Sequence, residues 1–164
     1  MSTIAARLKL MSLDWLHLIM AILVVAGLGV SAYLMWGYTV PGASLSCGGS
    51  SGCETVKNSV YSSVMGIPIP VVGLASYLTL LVLIFAQERV STGRGIAWSS
   101  YIALAIFGIS LIGVLYSAYL TYLELFVIYA ICRWCVTSAG IMAVIFVLSI
   151  FNLNNSNQSI TTER

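Results

Sequence analysis

The chain has 164 residues, of which 60% are hydrophobic and only 7% are charged, and its mean hydropathy is +1.01. Soluble domains carry roughly 25% charged residues, so this composition excludes an ordinary soluble protein and indicates one that is embedded in lipid. Seven Lys and Arg against five Asp and Glu give a net charge of +2, without the basic stripe that a nucleic-acid surface needs. We therefore expect a single membrane domain over residues 1–164, with no nucleic-acid partner.

The first predicted membrane span covers about residues 16–36. Twenty or so apolar residues at ~1.5 Å per residue cross a hydrocarbon core of ~30 Å, so a helix of this length spans the bilayer. A cleaved signal peptide is the alternative, but its apolar region is only roughly 7–15 residues long and ends at small residues. Bulky Tyr33, Met35 and Trp36 follow here, so we expect the segment to be retained. His17, the only histidine, is expected at the membrane interface and excludes a His pair that binds metal or haem within one subunit.

A long polar connection follows, from residue 37 to residue 66, and it contains Cys47 and Cys53. Only Gly and Ser fill the five positions between these cysteines, so the loop is flexible enough to bring the two sulfurs together or to let them part. A typical zinc knuckle has two to four intervening residues, so this spacing does not favour one.

A short amphipathic helix is predicted directly after Cys53. Val56, Val60 and Val64 recur at every fourth position, which would place them on one face of a helix. Such a helix would lie on the surface of the bilayer, between the first two spans.

Three further spans are predicted at about residues 67–86, 96–122 and 132–151. Pro68 and Pro70 fall at the entry of the second span, where a helix tolerates a missing N–H. Glu124 is taken to mark the exit of the third span, which carries no charged side chain. The predicted fold is an all-α bundle of four transmembrane helices, with a long outer loop and a short interfacial helix between helices 1 and 2.

The distribution of charge predicts the orientation in the membrane. Four spans place both termini on one side, which collects Arg7, Lys9, Arg89, Arg94 and Arg164, whereas the other side has Lys57 and Arg133. The positive-inside rule then predicts cytoplasmic termini in the inner (cytoplasmic) membrane. Both cysteine pairs would face the periplasmic or extracellular side, where disulfides persist.

The most informative motif is Cys132-Arg133-Trp134-Cys135. It is predicted to open the fourth helix, where residues i and i+3 share a face and their sulfurs are close enough to form a disulfide. The positive end of the helix dipole and the neighbouring Arg133 would favour the thiolate of Cys132. Structural zinc sites have the same spacing, so the motif alone does not decide between catalysis and metal binding.

The four cysteines together fit two static disulfides, a four-sulfur metal site or a thiol relay. A disulfide within one helical turn crosslinks almost nothing that the helix has not already fixed, and a metal site would need the loop to fold permanently over the fourth helix. In a relay, an external dithiol reduces the loop pair, the loop pair reduces the CxxC, and the CxxC passes two electrons to a lipid-soluble carrier such as a quinone. A non-catalytic membrane bundle with static disulfides or a metal remains the alternative.

The chain resembles the vitamin K epoxide reductase family, and specifically its bacterial homologues. The resemblance lies in three stretches that occur in this order: residues 53–62 (CETVKNSVYS), 66–73 (GIPIPVVG) and 132–135 (CRWC). It extends from the first span to the fourth. The DsbB type of membrane disulfide generator has the opposite order, with its CxxC in the first outer loop.

The resemblance implies a membrane oxidoreductase that generates disulfides for exported proteins. Cys47 would exchange with a soluble thioredoxin-fold thiol oxidase (DsbA-like) on the outer face, and Cys53 would pass electrons to Cys132. Cys135 would lie against the ring of a quinone of the ubiquinone or menaquinone type, and Ser59 would help to order that end of the site. Further candidate quinone contacts, by position only, are Val72, Tyr116, Tyr119 and Ala139.

Two departures from the family bear on the expected activity. Many bacterial members carry a fused thioredoxin-like domain, whereas this chain stops at Arg164, so we expect a separate partner. The animal enzymes follow the last cysteine with Thr-Thr-Tyr, whereas residues 136–139 (VTSA) follow here. This favours quinone reduction and leaves reduction of vitamin K epoxide as the second enzymatic alternative. Tyr116, Tyr119 and Tyr122, spaced by three, also have an ordinary interpretation as interfacial aromatics.

Overall fold

Four long helices and a short connecting unit make up the fold. The computed structural model describes residues 2–40, 45, 52–64, 66–92 and 96–162, with side chains at 15–40, 45, 52–63, 66–90 and 98–155. The elements in chain order are α1 (Ser2–Thr39), α2 (Gly52–Lys57), a 3₁₀ turn (Val60–Ser62), β1 (Ser63–Val64), β2 (Ile67–Pro68), α3 (Ile69–Thr92), α4 (Ile96–Leu123), a π-helical turn (Glu124–Ile128) and α5 (Arg133–Thr162). The two short strands pair antiparallel, with Val64 opposite Ile67.

The long helices each contain a stretch that is long and apolar enough to cross a membrane. These stretches are Trp15–Thr39, Ile69–Val90, Trp98–Ile128 and Arg133–Asn155. The predicted all-α fold with four membrane helices is therefore confirmed, and the chain is a multi-pass membrane protein. The third stretch runs past its predicted end, because the π-helical turn continues α4 without a break. Glu124 is consequently buried within the bundle, inside this longer apolar stretch, and its predicted place at the exit of the span stays a prediction.

The four long helices pack in a ring, in which α1 contacts α3 and α5, and α4 contacts the same two neighbours. Gly27 lets α1 and α3 approach closely, because a Cβ at this position would collide with the ring of Tyr77. Fully buried side chains fill the middle of the ring: Met20, Val24, Tyr77, Leu80, Ile106 and Ile145. Large apolar residues such as Ile112 point outwards, as expected where helices meet lipid tails.

A buried polar network joins α1, α3 and α5 at one end of the ring. We call His17, Gln87 and Asn152 the amide network. Gln87 Nε2 donates to Asn152 Oδ1 at 3.1 Å, Asn152 Nδ2 donates to Gln87 Oε1 at 2.9 Å, and His17 Nε2 lies 3.3 Å from Asn152 Oδ1. His17 is thus buried between helices and does not face the membrane interface as expected. Asn152 lies 17 residues after Cys135 on α5, which at 1.5 Å per residue places the network about 25 Å from the CxxC.

The helix after Cys53 is shorter than predicted. It ends at Lys57, because the Ser59 hydroxyl donates to the carbonyl of Val56 at 2.7 Å and competes with helical hydrogen bonding. Val60 therefore falls in the 3₁₀ turn and is 85% exposed, while Val56 packs inwards beside Cys53 and Cys132. The predicted face of three valines at the bilayer surface does not form.

Candidate active site

The CxxC motif opens α5, with Cys132 directly before the first helical residue, Arg133. The Cys132 sulfur accepts a hydrogen bond from the backbone N–H of Cys135 at 3.3 Å. A side-chain acceptor at this position satisfies an N–H that the first turn leaves without a helical partner, so Cys132 acts as an N-cap. Cys132 and Cys135 are both free thiols, and Cys132 is only 2% exposed.

The pKa of Cys132 lies below its ordinary value of 9.0. The largest cause is the hydrogen bond from the Cys135 side chain, and the backbone N–H groups of Cys135 and Trp134 lower the pKa further. Burial and the negative charge of Glu124 act in the opposite direction. Of the two thiols, Cys132 is therefore the one whose contacts favour the thiolate. Arg133, which was expected to favour this thiolate, is exposed, and the lowering comes first from hydrogen bonds.

Cys53 brings a third sulfur against the motif. It lies on α2, is disulfide-bonded, and is only 1% exposed. Its Sγ is 3.6 Å from the Sγ of Cys132, which is van der Waals contact between two sulfur atoms. This contact depends on Gly52, because a Cβ there would collide with the carbonyl oxygen of Ile131. Cys47, predicted to exchange with the external partner, lies outside the described residues.

Glu54 fastens the entering chain to α2. One carboxylate oxygen accepts the backbone N–H of Leu45 at 2.8 Å, and the other lies 3.7 Å from Lys57 Nζ. The Leu45 side chain is buried beside Cys53 and Cys132, and Gly37 makes room for it on α1. Residue 45, α2 and the start of α5 thus pack as one group around the sulfurs.

Glu124 belongs to this site, although the sequence alone did not assign it there. It is 4% exposed, its Oε2 accepts the backbone N–H of Cys132 at 3.0 Å, and it shares a side-chain hydrogen bond with Cys135. The π-helical turn ends at Tyr129, whose φ of 54° is left-handed and whose N–H bonds back to the Glu124 carbonyl. One feature of the sequence could have indicated this role: Glu124 is an acidic residue that follows a span without charged side chains and lies eight positions before Cys132.

A carboxylate oxygen of Glu124 and the sulfurs of Cys132 and Cys135 lie within 4.8 Å of one another. All three side chains are already hydrogen-bonded to each other or to the first turn of α5. The four-sulfur metal site considered above would also require Cys47, which is not described.

A cavity of about 120 Å³ lies among the four long helices, and Cys53, Cys132, Cys135 and Glu124 are part of its wall. Many of the remaining lining residues belong to α3 and α4, and they include both apolar side chains and hydroxyl groups. Of the predicted quinone contacts, Val72, Tyr116 and Ala139 line the cavity together with Cys135. Ser59 and Tyr119 are not part of the wall: the Ser59 hydroxyl is bonded to Val56, and Tyr119 is 54% exposed.

A membrane bundle with three sulfurs in contact beside an apolar cavity defines a membrane protein with a redox-capable cysteine centre. The sequence model of the Vitamin K epoxide reductase family matches residues 18–150, which is most of the chain and includes all four cysteines. The chain belongs to the vitamin K epoxide reductase family and is a membrane oxidoreductase of that kind, as its motifs predicted. The family is known for quinone-linked redox chemistry.

The cavity fits a quinone by the chemistry of its wall. Apolar side chains such as Val72 and Met142 suit a ring and an isoprenoid tail, whereas the hydroxyl groups of Tyr116 and Ser117 are candidate donors to a ring carbonyl. The Thr121 hydroxyl already donates to the Ser117 carbonyl at 2.9 Å. The Tyr77 hydroxyl is already engaged, because it donates to the Ser138 carbonyl at 2.9 Å.

Proposed function

We propose that the protein is a quinone-dependent thiol–disulfide oxidoreductase that generates disulfides for exported proteins. The observation that carries this proposal is the 3.6 Å contact between Sγ of the disulfide-bonded Cys53 and Sγ of the free Cys132. Thiol–disulfide exchange is the attack of a thiolate on a disulfide sulfur, so it requires contact between the two cysteine pairs. The lowered pKa of Cys132 makes it the better leaving group when Cys47 attacks Cys53 of a Cys53–Cys132 bond.

Electrons would enter from a soluble thioredoxin-fold protein, DsbA-like, whose dithiol reduces a Cys47–Cys53 disulfide and is itself oxidised. The Cys53 thiolate then attacks Cys132 of a Cys132–Cys135 disulfide, which forms the Cys53–Cys132 bond and releases Cys135. Attack of Cys47 on Cys53 restores the loop disulfide and leaves the CxxC reduced. The described state, with Cys53 bonded and the CxxC as free thiols, corresponds to the point after this exchange.

A quinone of the ubiquinone or menaquinone type, bound in the cavity, would take up the two electrons of the reduced pair. Cys135 lies in the cavity wall and presents its sulfur to such a ligand, together with Val72, Tyr116 and Ala139. The apolar wall keeps water from the sulfurs, which protects the reduced pair from unrelated oxidants. Ser59 would act indirectly, by ending α2 just after Cys53.

The orientation belongs to the same proposal. The excess of Lys and Arg on the side of the termini supports cytoplasmic termini in the inner membrane. The cysteines would then lie on the outer side of the membrane, where a soluble thiol oxidase and its exported substrates are found.

Trapping of mixed disulfides tests the proposal. Membranes from wild type and from the Cys47→Ala and Cys135→Ala variants are alkylated rapidly, and the crosslinked peptides are mapped. We expect a Cys53–Cys132 species to accumulate in both variants. One variant lacks Cys47, which attacks Cys53, and the other lacks Cys135, which attacks Cys132. The double variant Cys135→Ala, Cys132→Ser is the control that must lose the species. Absence of the species in both single variants would overturn the relay in favour of two static disulfides.

The family match also supports reduction of vitamin K epoxide as a second candidate activity. Purified reduced protein can be supplied with the epoxide or with a quinone at equal concentration, and the oxidation of its cysteines followed. We expect oxidation by the quinone alone. Comparable turnover of the epoxide would replace the proposed reaction with the alternative.

A further inference from the structure

Glu124 is a buried carboxylate that contacts both cysteines of the CxxC in different ways. To Cys132 it offers an acceptor for the backbone N–H, at 3.0 Å from Oε2. The single proton of the Cys135 thiol lies between two acceptors, the Glu124 carboxylate and the Cys132 sulfur, and all three groups lie within 4.8 Å of one another. A carboxylate has no proton to donate to a thiolate, but it stabilises a thiol that donates to it. The carboxylate therefore acts on the thiol of Cys135 directly, whereas its hydrogen bond to Cys132 is to the backbone.

When the reduced pair has lost one of its two thiol protons, the remaining proton can reside on either sulfur. The Cys132 sulfur receives the backbone N–H of Cys135, which favours a negative charge there. The Cys135 sulfur faces a carboxylate, where a second negative charge is unfavourable in a buried site. Both sets of contacts place the charge on Cys132 and the proton on Cys135.

We propose that Glu124 holds the proton of the reduced centre on Cys135, and thereby directs Cys132 to exchange with Cys53 while Cys135 is reserved for the ligand of the cavity. The same geometry gives the proton a path out. When the pair closes, one S–S bond forms and two electrons pass to the quinone. The single thiol proton passes from Cys135 to Glu124, which lines the cavity, and from Glu124 to the reduced quinone, so that the carboxylate is restored. Quinone reduction takes up two protons, so the second comes from water.

The place of Glu124 in the cycle rests on the proposed function, but its effect on the two thiols does not. Other titratable groups also line the cavity, and in any pH series their effects have to be distinguished from that of Glu124. They are Tyr38 on α1, Lys57 on α2, Tyr61 in the 3₁₀ turn, Tyr77 on α3 and Tyr116 on α4. Lys57 is within ion-pair distance of Glu54.

The first test is the competition between the two thiols for a small alkylating agent. Reduced, purified protein without quinone or partner is treated with limiting iodoacetamide near neutral pH, and label on Cys135 and on Cys132 is measured by fragmentation of the shared peptide. Glu124→Gln keeps an acceptor for the Cys132 N–H but removes the charge. We expect the ratio of Cys135 to Cys132 labelling to rise about tenfold, equivalent to about one pKa unit between the two sulfurs.

Two variants accompany this test. Glu124→Asp keeps the carboxylate and should return the ratio towards that of wild type. Glu88→Gln also removes one carboxylate, but from an exposed side chain near the end of α3, beside Gln87 of the amide network. It should leave the ratio unchanged. An unchanged or lower ratio in Glu124→Gln overturns the proposal, because a carboxylate that merely held the Cys132 N–H would be replaced by the glutamine amide.

A second measurement does not depend on the folding of a Glu124 variant. The S–H stretch of the reduced wild-type protein lies in a clear infrared window, and we expect a hydrogen-bonded band that is lost in Cys135→Ala and kept in Cys132→Ala. A band that is lost in Cys132→Ala instead would overturn the proposal. Because both measurements use protein without quinone or partner, they can succeed even if mixed-disulfide trapping shows that the relay is wrong, and the reverse also holds.

Discussion

The two ends of the helix ring both bury polar groups, but they use them differently. In the amide network, Gln87 and Asn152 bond reciprocally, and none of its members lines the cavity. Around the CxxC, the polar groups line the cavity and include two free thiols, of which Cys132 contacts the sulfur of the disulfide-bonded Cys53. The comparison shows that one end joins the helices, whereas the other leaves reactive groups beside a space that a ligand can enter.

The connectivity of the two ends explains this division. The amide network ties together α1, α3 and α5, which are three of the four helices of the ring. Cys53 is carried by α2, a helix of six residues that lies outside the ring. A change in the contact between Cys53 and Cys132 therefore requires movement of α2 and of the residues packed with it, and no member of the amide network belongs to that group.

Gly52→Ala should disrupt the contact between Cys53 and Cys132, and its expected effect is the largest of the four. The new Cβ would collide with the backbone carbonyl of Ile131, so α2 has to move away from the start of α5. We expect formation of the Cys53–Cys132 crosslink in the Cys135→Ala background to fall by more than about tenfold, because exchange requires sulfur contact. Gly140→Ala is the matched control, since a Cβ there meets nothing within 4 Å. Equal crosslinking in both variants would show that the Gly52 contact does not position Cys53.

Asn152→Ala should disrupt the amide network and leave the exchange between Cys53 and Cys132 unchanged. It removes both partners of the Gln87 amide and the contact of His17, so buried polar groups lose hydrogen bonds. We expect a loss of about 1–2 kcal/mol in the free energy of unfolding in detergent, with unchanged Cys53–Cys132 crosslinking. Asn154→Ala, at an exposed position two residues on, serves as the control. Loss of crosslinking at unchanged stability would contradict the division between the ends.

The thiolate of Cys132 should make the stability of the reduced protein depend on pH. Its pKa is lowered in the folded protein, so the unfolded chain binds more protons between the folded pKa and the ordinary value of 9.0. Stability relative to Cys132→Ser should therefore rise with pH through this window, be complete above 9.0, and be lost as the pH falls through the folded pKa. The gain is on the order of 1 kcal/mol per unit of pKa difference. The oxidised protein, with no free Cys132 thiol, should show no such difference.

Tyr129→Asn tests the turn that carries Glu124, with the smallest expected effect. Tyr129 is 83% exposed and has a left-handed backbone, which Asn adopts more readily than Tyr. We expect a gain of about 0.5 kcal/mol in the free energy of unfolding. The same change at Tyr122, which is exposed on α4, should be destabilising because Asn is a weak helix former. A loss of stability at Tyr129 would indicate that its ring is needed where it lies.

Much of the fold could be predicted because each signal was local. Long apolar runs predict spanning helices irrespective of their neighbours, and the position of Cys132 at the start of α5 follows from the composition on either side of it. The helix after Cys53 failed as a prediction, since its end depends on the hydrogen bond of Ser59 that a valine periodicity does not show.

The details of the site depend on rotation about helix axes, which the sequence does not determine. Tyr116 and Tyr119 are three residues apart, so they differ by about 60° on the helix, and only Tyr116 faces the cavity. Glu124 enters the site through a π-helical turn, which shifts the facing positions of the helix and has no recognised sequence signature. The catalytic roles of the four cysteines and the quinone contacts stay predictions until the experiments above are done.

The contact between Cys53 and Cys132 joins positions that are 79 residues apart in the chain. A covalent bond between them would close a loop that contains the whole of α3 and α4. Closing a loop of this size lowers the entropy of the unfolded chain and thereby raises its free energy by about 4.5 kcal/mol at 25 °C. A Cys132–Cys135 bond closes only a very short loop and has little such effect. The short-lived crosslinked species would therefore be the form of the protein most resistant to heat and detergent, and the Cys135→Ala variant trapped in that form would be the preparation best suited to purification.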